Sequence, residues 1–388
     1  MTKSNDIVVY GATGYTGRLV VDHLARFGER HRWAIAGRDE RKLQDLASAV
    51  KAAHGYEPPI FVASAEDRSS LAKMCERSGV VVACAGPFVR MGEPVVEACI
   101  DAGSDYVDIT GEPAFVERII TRHHDRAEQA GVLVVPCCGF DSIPADLGVW
   151  FVMNALGKNG HATAETFVHT NWDVSGGTWQ TMMEMAGHGD PLHPPSFPTP
   201  IGASSRTSVG KARPHFEPDV AGWVVPMPTI DPAVVLRSAA MLGTYGADFT
   251  YSFYARFGSL PKAALRGAAL GAIFGLARVG PARRILSRVK PSGAGANEEQ
   301  RRTGFFRVTT VARASGEKVV GRVSGGDKYV ETGAMAGEAA SLLALERATL
   351  PRKGGVLTPA VAFGGALVRR LEDRGIRFEI VRRTKEER

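Results

Sequence analysis

The sequence lacks paired cysteines, a long apolar run and an N-terminal leader. Its five cysteines all lie within the first 138 residues and none forms a CxxC pair, which indicates reduced, mostly buried thiols rather than a disulfide framework. Residues 1–6 are polar and lead directly into an apolar run, which leaves no room for a cleavable signal peptide. These absences predict a cytoplasmic protein.

A strong excess of one charge is also missing from the chain as a whole. The net charge of +6 is spread over 388 residues, and no recognisable nucleic-acid-binding module accompanies it, so we expect no nucleic acid partner. No segment has the composition of a disordered chain, and the length suits about two or three domains.

What the chain does have is a glycine-rich turn near its start. Residues 7–17 read IVVYGATGYTG, in which an apolar run breaks into glycines at three-residue spacing. This pattern is typical of the turn between the first strand and the first helix of a dinucleotide-binding domain, where a helix N-terminus faces the phosphates. A lone pattern of this kind also occurs at ordinary strand-to-helix corners. The predicted cofactor contacts are Gly11, Ala12, Thr13, Gly14, Tyr15, Thr16 and Gly17.

Arg38 indicates which dinucleotide is bound. A second apolar run, residues 33–36, ends in Gly37 and Arg38, and Arg38 lies twenty-one residues beyond Gly17. At that position an acid reads the free 2′-hydroxyl of NAD, whereas an arginine pairs with the 2′-phosphate of NADP. The sequence therefore favours NADP(H). The alternative makes Arg38 a solvated charge at a helix start and Asp39 the ribose ligand.

Apolar runs alternate with helical periodicity through the first part of the chain. Strands are predicted at residues 7–10, 33–36, 60–63, 80–85, 106–109 and 132–136. Amphipathic helices are predicted between them at residues 18–27, 41–53, 69–77, 94–102 and 115–130. This alternation predicts an α/β fold with a Rossmann-type doubly wound parallel sheet.

The loop after the fourth strand is the first of three candidate site loops, because nucleotide and substrate meet at the carboxyl ends of the strands in open α/β sheets. It contains Ala85, Gly86, Pro87 and Phe88. We expect Gly86 to let the backbone pass close to the nicotinamide ribose, and an ordinary turn is the alternative.

Polar side chains follow the fifth and sixth strands. Tyr106 and Asp108 alternate along the fifth strand and share a face, so both are candidates to point towards a bound substrate, with Tyr106 as a proton donor. A packed tyrosine ring with a satisfied hydroxyl is the alternative. After the sixth strand, Asp141 and Ser142 are candidates to orient the substrate, although capping of the helix that starts near Ile143 also explains them.

The remainder of the chain predicts a second, α+β domain. Residues 305–314 and 318–324 form an antiparallel hairpin around a turn at 314–316, and its exposed edge favours a homodimer. A helix follows at 334–345, and the closing segment is expected to return to the first domain. The predicted domains are residues 1–145, 146–330 and 331–388.

Residues 185–232 are rich in proline, glycine and aromatics and show little periodicity. This composition predicts a long loop over the site, with an inserted or disordered stretch as the alternative. His188 and His193 near Asp190 are metal-ligand types, but a third ligand and a rigid scaffold are missing. We therefore predict no metal site.

The sharpest charge asymmetry lies between residues 256 and 297. This stretch has no acid and eight basic residues, Arg256, Lys262, Arg266, Arg278, Arg283, Arg284, Arg288 and Lys290. Residues 267–277 are small or apolar and far shorter than the roughly 20 residues that span a bilayer. Basic flanks around a short apolar helix suit the inner face of a membrane, an acyl-carrier protein or the entrance for a long acyl chain. A buried helix with solvated ends is the alternative.

Several motifs occur together in an order that matches a known family. They are GATGYTG at 11–17, AGR at 36–38, GPF at 86–88, YVDITGE at 106–112, GFDSIPAD at 139–146, SGGT at 175–178 and GVLTPAVAFG at 355–364. Over nearly its whole length the chain resembles the saccharopine dehydrogenase-like oxidoreductases, and more closely the trans-acting enoyl reductases of actinobacterial lipid synthesis. The resemblance implies an NADP-linked two-domain fold.

The resemblance leaves the reaction open, because relatives of similar architecture reduce either an imine or a polyketide carbon–carbon double bond. A glutarate-like substrate needs converging arginines, and the Ser-Gly-Gly-Thr turn at 175–178 offers no charge. Ser175 and Thr178 suit the carbonyl of an enoyl thioester as negative charge develops, and a plain loop is the alternative.

We therefore expect an NADPH-dependent enoyl reductase for a lipid or polyketide-like acyl substrate, met on an acyl-carrier protein or at a membrane. Two other classes stay open. One is a saccharopine-like dehydrogenase acting on an imine, amine or alcohol, and the other is a non-catalytic nucleotide-binding protein at a lipid surface.

Overall fold

Two β-sheets organise the chain, and each lies in its own unit. Unit 1 contains Met1–Ile143 and Tyr329–Arg374, and unit 2 contains Pro144–Lys328 and Gly375–Arg388. The boundaries expected from the sequence were residues 145 and 330. The computed structural model describes residues 3–28, 31–157, 160–171, 174–187, 196–198, 203, 205–290 and 295–385.

The strands and helices have the following bounds in chain order. The strands are β1 (Asn5–Tyr10), β2 (Trp33–Gly37), β3 (Ile60–Val62), β4 (Ser78–Ala83), β5 (Asp105–Asp108), β6 (Leu133–Val135), β7 (His161–Thr170), β8 (Arg206–Val209), β9 (His215–Glu217), β10 (Gly222–Pro226), β11 (Asp248–Phe257), β12 (Phe306–Ala314), β13 (Glu317–Gly325), β14 (Gly355–Val356) and β15 (Arg377–Lys385). The helices are α1 (Tyr15–Phe27), α2 (Glu40–His54), α3 (Arg68–Glu76), α4 (Phe88–Ala102), α5 (Pro113–Gln129), α6 (Ile143–Leu156), α7 (Gly176–Gly187), α8 (Asp231–Leu242), α9 (Leu260–Ala277), α10 (Gly280–Val289), α11 (Glu298–Thr303), α12 (Lys328–Leu345), α13 (Pro359–Ala362) and α14 (Gly365–Glu372).

The sheet of unit 1 has seven parallel strands in the order β14-β6-β5-β4-β1-β2-β3. Its strand order reverses between β1 and β4, which is where open α/β sheets bind their ligands. Ile7, Val8 and Val9 have no exposed surface, because a central parallel strand is covered on both faces and therefore reads as an unbroken apolar run. The predicted doubly wound fold is confirmed, with β14 as an additional strand.

Aspartate side chains fix where two of the helices in unit 1 begin. Asp39 accepts a hydrogen bond from the Lys42 N–H at the start of α2, and Asp67 accepts from the N–H groups of Ser69 and Ser70 at the start of α3. A carboxylate at this position satisfies backbone donors that have no partner within the helix and lies near the positive end of the helix dipole.

The sheet of unit 2 has eight strands in the order β15-β13-β12-β7-β11-β10-β9, with β8 beside β11. The predicted hairpin is present as β12 and β13. At the centre of the sheet, β7 and β11 run parallel to each other. A cluster of buried side chains packs on this sheet, made of Phe167, Val224, Tyr254, Val311 and Val320. The expected second domain with an antiparallel hairpin is therefore confirmed.

Two expectations for unit 2 were wrong. Residues 206–226 are not a long loop, because they contain β8, β9 and β10. The hairpin has no exposed edge, because β12 pairs with β7 and β13 pairs with β15, so the observation that favoured a homodimer is removed. The segment after residue 331 divides: most of it lies in unit 1, whereas β15 adds an edge strand to the sheet of unit 2.

Candidate functional site

The glycine-rich turn joins β1 to α1 and accepts no side chain at two of its positions. Gly11 has φ of +81°, and a Cβ on it would lie 2.8 Å from the backbone nitrogen of Ala85. A Cβ on Gly17 would lie 2.2 Å from the carbonyl oxygen of Gly11. The helix begins at Tyr15, and no described side chain caps it at Gly14. Its first N–H groups therefore suit an anionic ligand such as pyrophosphate.

The other predicted residues of this turn lie in a fixed backbone. Ala12 is fully buried, and its N–H donates a 3.2 Å hydrogen bond to the carbonyl of Ala36. The carbonyl of Thr13 accepts a 3.2 Å bond from the Arg18 guanidinium. Thr16 is half-buried at the start of α1. The ring of Tyr15 packs edge-on against Tyr329, with 5.6 Å between the ring centroids.

The loop after β4 lies beside this turn, since Ala85 occupies the space that a side chain on Gly11 would need. Gly86 is exposed, Pro87 is half-buried and Phe88 is buried at the first position of α4. The structure thus brings together the two loops that the sequence assigned to the cofactor. An exposed glycine at this place leaves its backbone open to close approach by a ligand.

Glu112 holds the end of this loop and was not predicted. Its side chain is buried, and its two carboxylate oxygens accept hydrogen bonds from the N–H groups of Phe88 at 2.9 Å and Val89 at 2.7 Å. This cap explains why α4 begins at Phe88 and not at Pro94, where the sequence pattern placed it. Short-range sequence patterns gave no signal for this cap, because Phe88 and Val89 lie 24 and 23 residues earlier along the chain.

Arg38 and Asp39 have different surroundings after β2. Asp39 caps α2, accepting from the Lys42 N–H at 3.1 Å and pairing with the Lys42 ammonium at 3.2 Å. Arg38 is exposed and forms no hydrogen bond or ion pair with any other described residue. The Asp39 carboxylate is thus already used, whereas the Arg38 guanidinium is available to a ligand. These surroundings support Arg38 over Asp39 as the residue that reads the ribose.

Tyr106 and Asp108 lie on one face of β5, as predicted, and bond to each other. The Tyr106 hydroxyl donates to Asp108 Oδ2 at 2.9 Å, and Asp108 Oδ1 accepts from the N–H groups of Thr110 at 2.9 Å and Cys137 at 3.0 Å. Both side chains are 0% exposed. Burial raises the pKa of Asp108 to about 7 and that of Tyr106 well above its usual value. The arrangement supports the packed tyrosine, and direct catalytic roles for the pair stay predictions.

The loop after β6 packs against the loop after β5. Cys137 has φ of +63°, which is uncommon for a residue with a side chain, and its carbonyl accepts a 2.9 Å bond from the N–H of Ser142. The Asp141 carboxylate lies 3.4 Å from where a Cβ on Gly111 would stand. The Ser142 hydroxyl is buried with no hydrogen-bond partner among the described residues. The structure therefore brings Asp141 and Ser142 next to the end of β5.

Ser175 and Thr178 lie in unit 2 and form a helix start, not a plain loop. Ser175 Oγ accepts a 3.2 Å hydrogen bond from the Thr178 N–H and lies 3.1 Å from Thr178 Oγ1. Ser175 is buried, Thr178 is half-buried and Gly177 between them is exposed. The N–H groups in the first turn of α7 point out of the positive end of a helix dipole, which suits a carbonyl that gains negative charge.

The segment with the basic excess forms α9 and α10, and α9 is not the buried helix that was the alternative. Leu265 is 73% exposed and Leu276 is 54% exposed, while Ala263 and Ala277 are buried. By length and composition the 18 residues of α9 are also apolar enough to cross a membrane, whereas residues 267–277 alone are too short to do so. Of the described helices, it is the one that meets this criterion.

Potential metal ligands gather at one place among the described residues. Donor atoms of Glu93, Glu97 and His123 lie within 4.8 Å of one another. The Glu93 carboxylate is already paired with Arg118 at 3.2 Å and Arg122 at 3.3 Å. The cluster is explained as an ion-pair network. The candidate ligands His188, Asp190 and His193 lie outside the described residues.

Comparison with known proteins gives this geometry a context. A family model described as the saccharopine dehydrogenase NADP binding domain matches residues 7–135. A Mycobacterium tuberculosis protein that carries the name of the trans-acting enoyl reductases is 35% identical, over 97% of this chain and 97% of its own. The trans-acting enoyl reductase of Mycobacterium ulcerans is 32% identical, over 96% of both chains.

A solved structure has the same fold. Apo saccharopine dehydrogenase (L-Glu forming) from Saccharomyces cerevisiae matches with a TM-score of 0.56 and 15% identity, over 97% of this chain and 100% of its own. The prediction of NADP(H) as the cofactor is confirmed by the family match, and the turn of unit 1 fits it. A side chain on Gly11 or Gly17 would fill the turn, and Arg38 is available for a phosphate.

Proposed function

We propose enoyl reductase activity for this chain, which belongs to the saccharopine dehydrogenase-like family of NADP-binding oxidoreductases that contains the trans-acting enoyl reductases. The observation that carries the proposal is the identity of 32–35% over nearly the full length of relatives with that name. The likeness to yeast saccharopine dehydrogenase, at 15% identity, concerns the fold alone.

The proposed substrate is an α,β-unsaturated acyl thioester of lipid or polyketide type. A reductase that acts in trans meets its substrate on another polypeptide, so we propose that an acyl-carrier protein presents the acyl chain. The turn at 175–178 supports an uncharged, carbonyl-bearing substrate, because it offers hydroxyl and N–H donors and no charge.

NADPH, when bound, would supply a hydride to the β-carbon of the enoyl thioester, and a proton from solvent would complete the saturated product at the α-carbon. The chain's own residues bind and orient. The glycine-rich turn and the start of α1 would hold the pyrophosphate, and Arg38 would pair with the 2′-phosphate. Glu112 holds the loop at Gly86 in place through its bonds to the first N–H groups of α4. Ser175 and Thr178 align donors with the substrate carbonyl, which stabilises negative charge on its oxygen.

The test follows NADPH absorbance while α,β-unsaturated acyl thioesters of increasing length are supplied, free and on a carrier protein. We expect NADPH consumption with these substrates and none with the saturated thioester of the same length. The Gly17→Ala variant, which we expect not to bind NADPH, controls for contaminating reductases. Oxidation of saccharopine or an alcohol with NADP⁺ in place of this reaction would identify a dehydrogenase, and cofactor binding without any turnover would identify a non-catalytic protein.

A further inference from the structure

Large aliphatic side chains are exposed on α9, on α10 and at Val279 between the two helices. Leu265 is 73% exposed, Leu276 54%, Val279 55%, Ile285 67% and Val289 67%. Soluble proteins expose single apolar residues freely, but several neighbouring ones on consecutive helices mark an interaction site. We call the surface formed by these five residues together with Arg284 and Arg288 the basic apolar face.

The outer side of α10 alternates charge with apolar surface. Arg284 and Arg288 are four residues apart and exposed, and Ile285 and Val289 follow each of them with the same spacing. Residues four apart stack on one side of a helix, so the two pairs form adjacent stripes. The opposite side of α10 is fixed, because Trp179 Nε1 donates a 2.7 Å bond to the carbonyl of Leu286. The orientation of the two stripes is therefore set by the packing of α10 on α7.

The outer side of α9 is an uncharged stripe. Leu265, Ala272 and Leu276 are exposed at spacings that place them on one side of the helix, and no charged residue occurs from 267 to 277. The stripe is about 17 Å long at 1.5 Å per residue. A Cβ added to Gly267 or Gly271 would meet no described atom within 4 Å, so these glycines do not serve close helix packing.

The positive charges near this face form no ion pairs within the described part of the protein, and Arg266 lies over the Phe257 ring, 5.9 Å from the ring centre. Lys262, Arg266, Arg278, Arg283, Arg284, Arg288 and Lys290 form no ion pair with a described acid, and residues 256–297 contain no acid at all. An external anionic surface would therefore meet cations that are not already neutralised.

We propose that the basic apolar face docks onto the surface of an anionic lipid bilayer. A bilayer interface suits both the apolar and the cationic side chains of this face. The aliphatic side chains enter the boundary of the acyl chains, while the arginines remain at the anionic headgroups. A charged carrier protein would leave the uncharged stripe of α9 facing a polar partner. The bilayer therefore fits the surface better than a carrier does. This proposal does not rest on the proposed enoyl reductase activity.

The test is co-sedimentation of the full chain with vesicles of phosphatidylglycerol and phosphatidylcholine, compared with phosphatidylcholine alone, at low and high salt. We expect binding to the anionic vesicles that weakens as salt rises, and little binding to the neutral ones. Arg284→Gln with Arg288→Gln should weaken the partition by roughly tenfold to thirtyfold. Ile285→Ser with Val289→Ser should also weaken it, because the inserted apolar area is reduced.

Matched controls come from exposed residues elsewhere. Lys73→Gln with Arg77→Gln removes two exposed cations at the same spacing in unit 1, and Val62→Ser with Val381→Ser removes two exposed valines. Neither control should change vesicle binding, and all variants should keep NADPH binding as a check of folding. The proposal is overturned if anionic vesicles do not bind, or if the controls weaken binding as much as the α10 variants.

Two further outcomes would assign the face to another occupant and equally overturn the proposal. One is binding of an acidic acyl-carrier protein that is lost in the α10 variants while vesicles do not bind. The other is a concentration-dependent dimer, without vesicles, that Ile285→Ser with Val289→Ser abolishes. A failure of enoyl reduction would leave vesicle binding unaffected, so the two proposals fail separately.

Discussion

The Tyr106 hydroxyl and the Asp108 carboxylate share a 2.9 Å hydrogen bond in a place where neither side chain has any exposed surface. Asp108 also accepts two backbone N–H groups, one from its own loop and one from the loop after β6. The pair therefore joins two strand ends that carry candidate site residues. Its properties make the first prediction.

Asp108→Asn should flatten part of the pH dependence of stability. Burial raises the folded-state pKa of Asp108 from 3.8 to about 7, so between these values the folded chain keeps a proton that the unfolded chain has released. The wild type should therefore lose stability, relative to the variant, as pH rises through that window, by about 1.4 kcal/mol per pH unit, and the difference should level off above it.

Urea unfolding of both proteins at several pH values measures this difference. Tyr106→Phe is the companion variant, which keeps the titrating group and should lose about 1 kcal/mol for one hydrogen bond. Parallel stability curves for the wild type and Asp108→Asn would show that folding does not raise the pKa of Asp108 and would contradict the prediction.

Arg38→Ala should reduce the affinity for NADPH by roughly tenfold to a hundredfold and leave that for NADH unchanged, because a charged hydrogen bond to phosphate contributes about 1.5–3 kcal/mol. Fluorescence titration with both cofactors measures it. Arg41→Ala, which removes an exposed charge three positions further on, is the control and should change neither affinity. An equal loss of affinity for NADPH and NADH would show that Arg38 does not contact the 2′-phosphate.

Gly17→Ala should abolish NADPH binding and destabilise unit 1, because its Cβ would stand 2.2 Å from a backbone oxygen that cannot move without opening the turn. Gly14→Ala is the milder partner, with φ of −72° and a Cβ 3.3 Å from that oxygen. We expect Gly14→Ala to fold normally, so any loss of NADPH affinity in it would come from the cofactor's close approach to the turn. Titration and thermal unfolding of the two variants separate these effects, and similar behaviour of both would contradict the geometry.

Glu112→Ala should lower the free energy of unfolding by roughly 2–5 kcal/mol, because two N–H groups at the start of α4 lose their acceptor. Glu112→Gln keeps one carbonyl oxygen and should lose less. Glu117→Ala changes an exposed acid on α5 and should stay within about 0.5 kcal/mol of the wild type. Denaturant titration measures the loss of unfolding free energy in each variant. We expect the largest loss in Glu112→Ala, a smaller one in Glu112→Gln and the smallest in Glu117→Ala, and any other order would contradict the assigned cap.

Ser175→Gly should separate capping from catalysis. Glycine is a fair N-cap, so the stability loss should be a few tenths of a kcal/mol, against about 1 kcal/mol for Ser175→Ala. If the hydroxyl serves the substrate carbonyl, both variants should lower kcat, by up to roughly a hundredfold for one lost donor. An unchanged kcat in Ser175→Gly would show that the Ser175 hydroxyl caps α7 and does not serve the substrate carbonyl. This prediction rests on the proposed enoyl reduction.

The parallel sheet could be predicted from sequence because its strands are buried on both faces and punctuated by glycine. Gly11 and Gly17 were also predicted, because turns of this type require glycine at that spacing. Glu112 was not, because its partners lie more than twenty residues earlier along the chain and only the folded sheet brings them together. Short-range patterns carry no information about such a cap.

The exposure of α9 and the presence of strands β8 to β10 could not be predicted from the sequence, for different reasons. Glycine and alanine pack closely in a core and are equally at home on a surface, so composition did not decide where α9 lies. Strand β8 has no clear alternation, because most of its residues are exposed and its place is set by pairing with β11. Pairing between distant segments overrides weak local preference.

The division of unit 1 between two stretches of chain has a consequence for biosynthesis. Leu133 in β6 pairs with Gly355 in β14. At a ribosomal rate of about 5–20 residues per second, β6 is made on the order of ten to forty seconds before its neighbour. Until then its outer edge presents unpaired backbone groups while all of β7 to β13 is being synthesised. The nascent cofactor domain is thus an incomplete sheet, open to misassembly until the last few dozen residues have been translated.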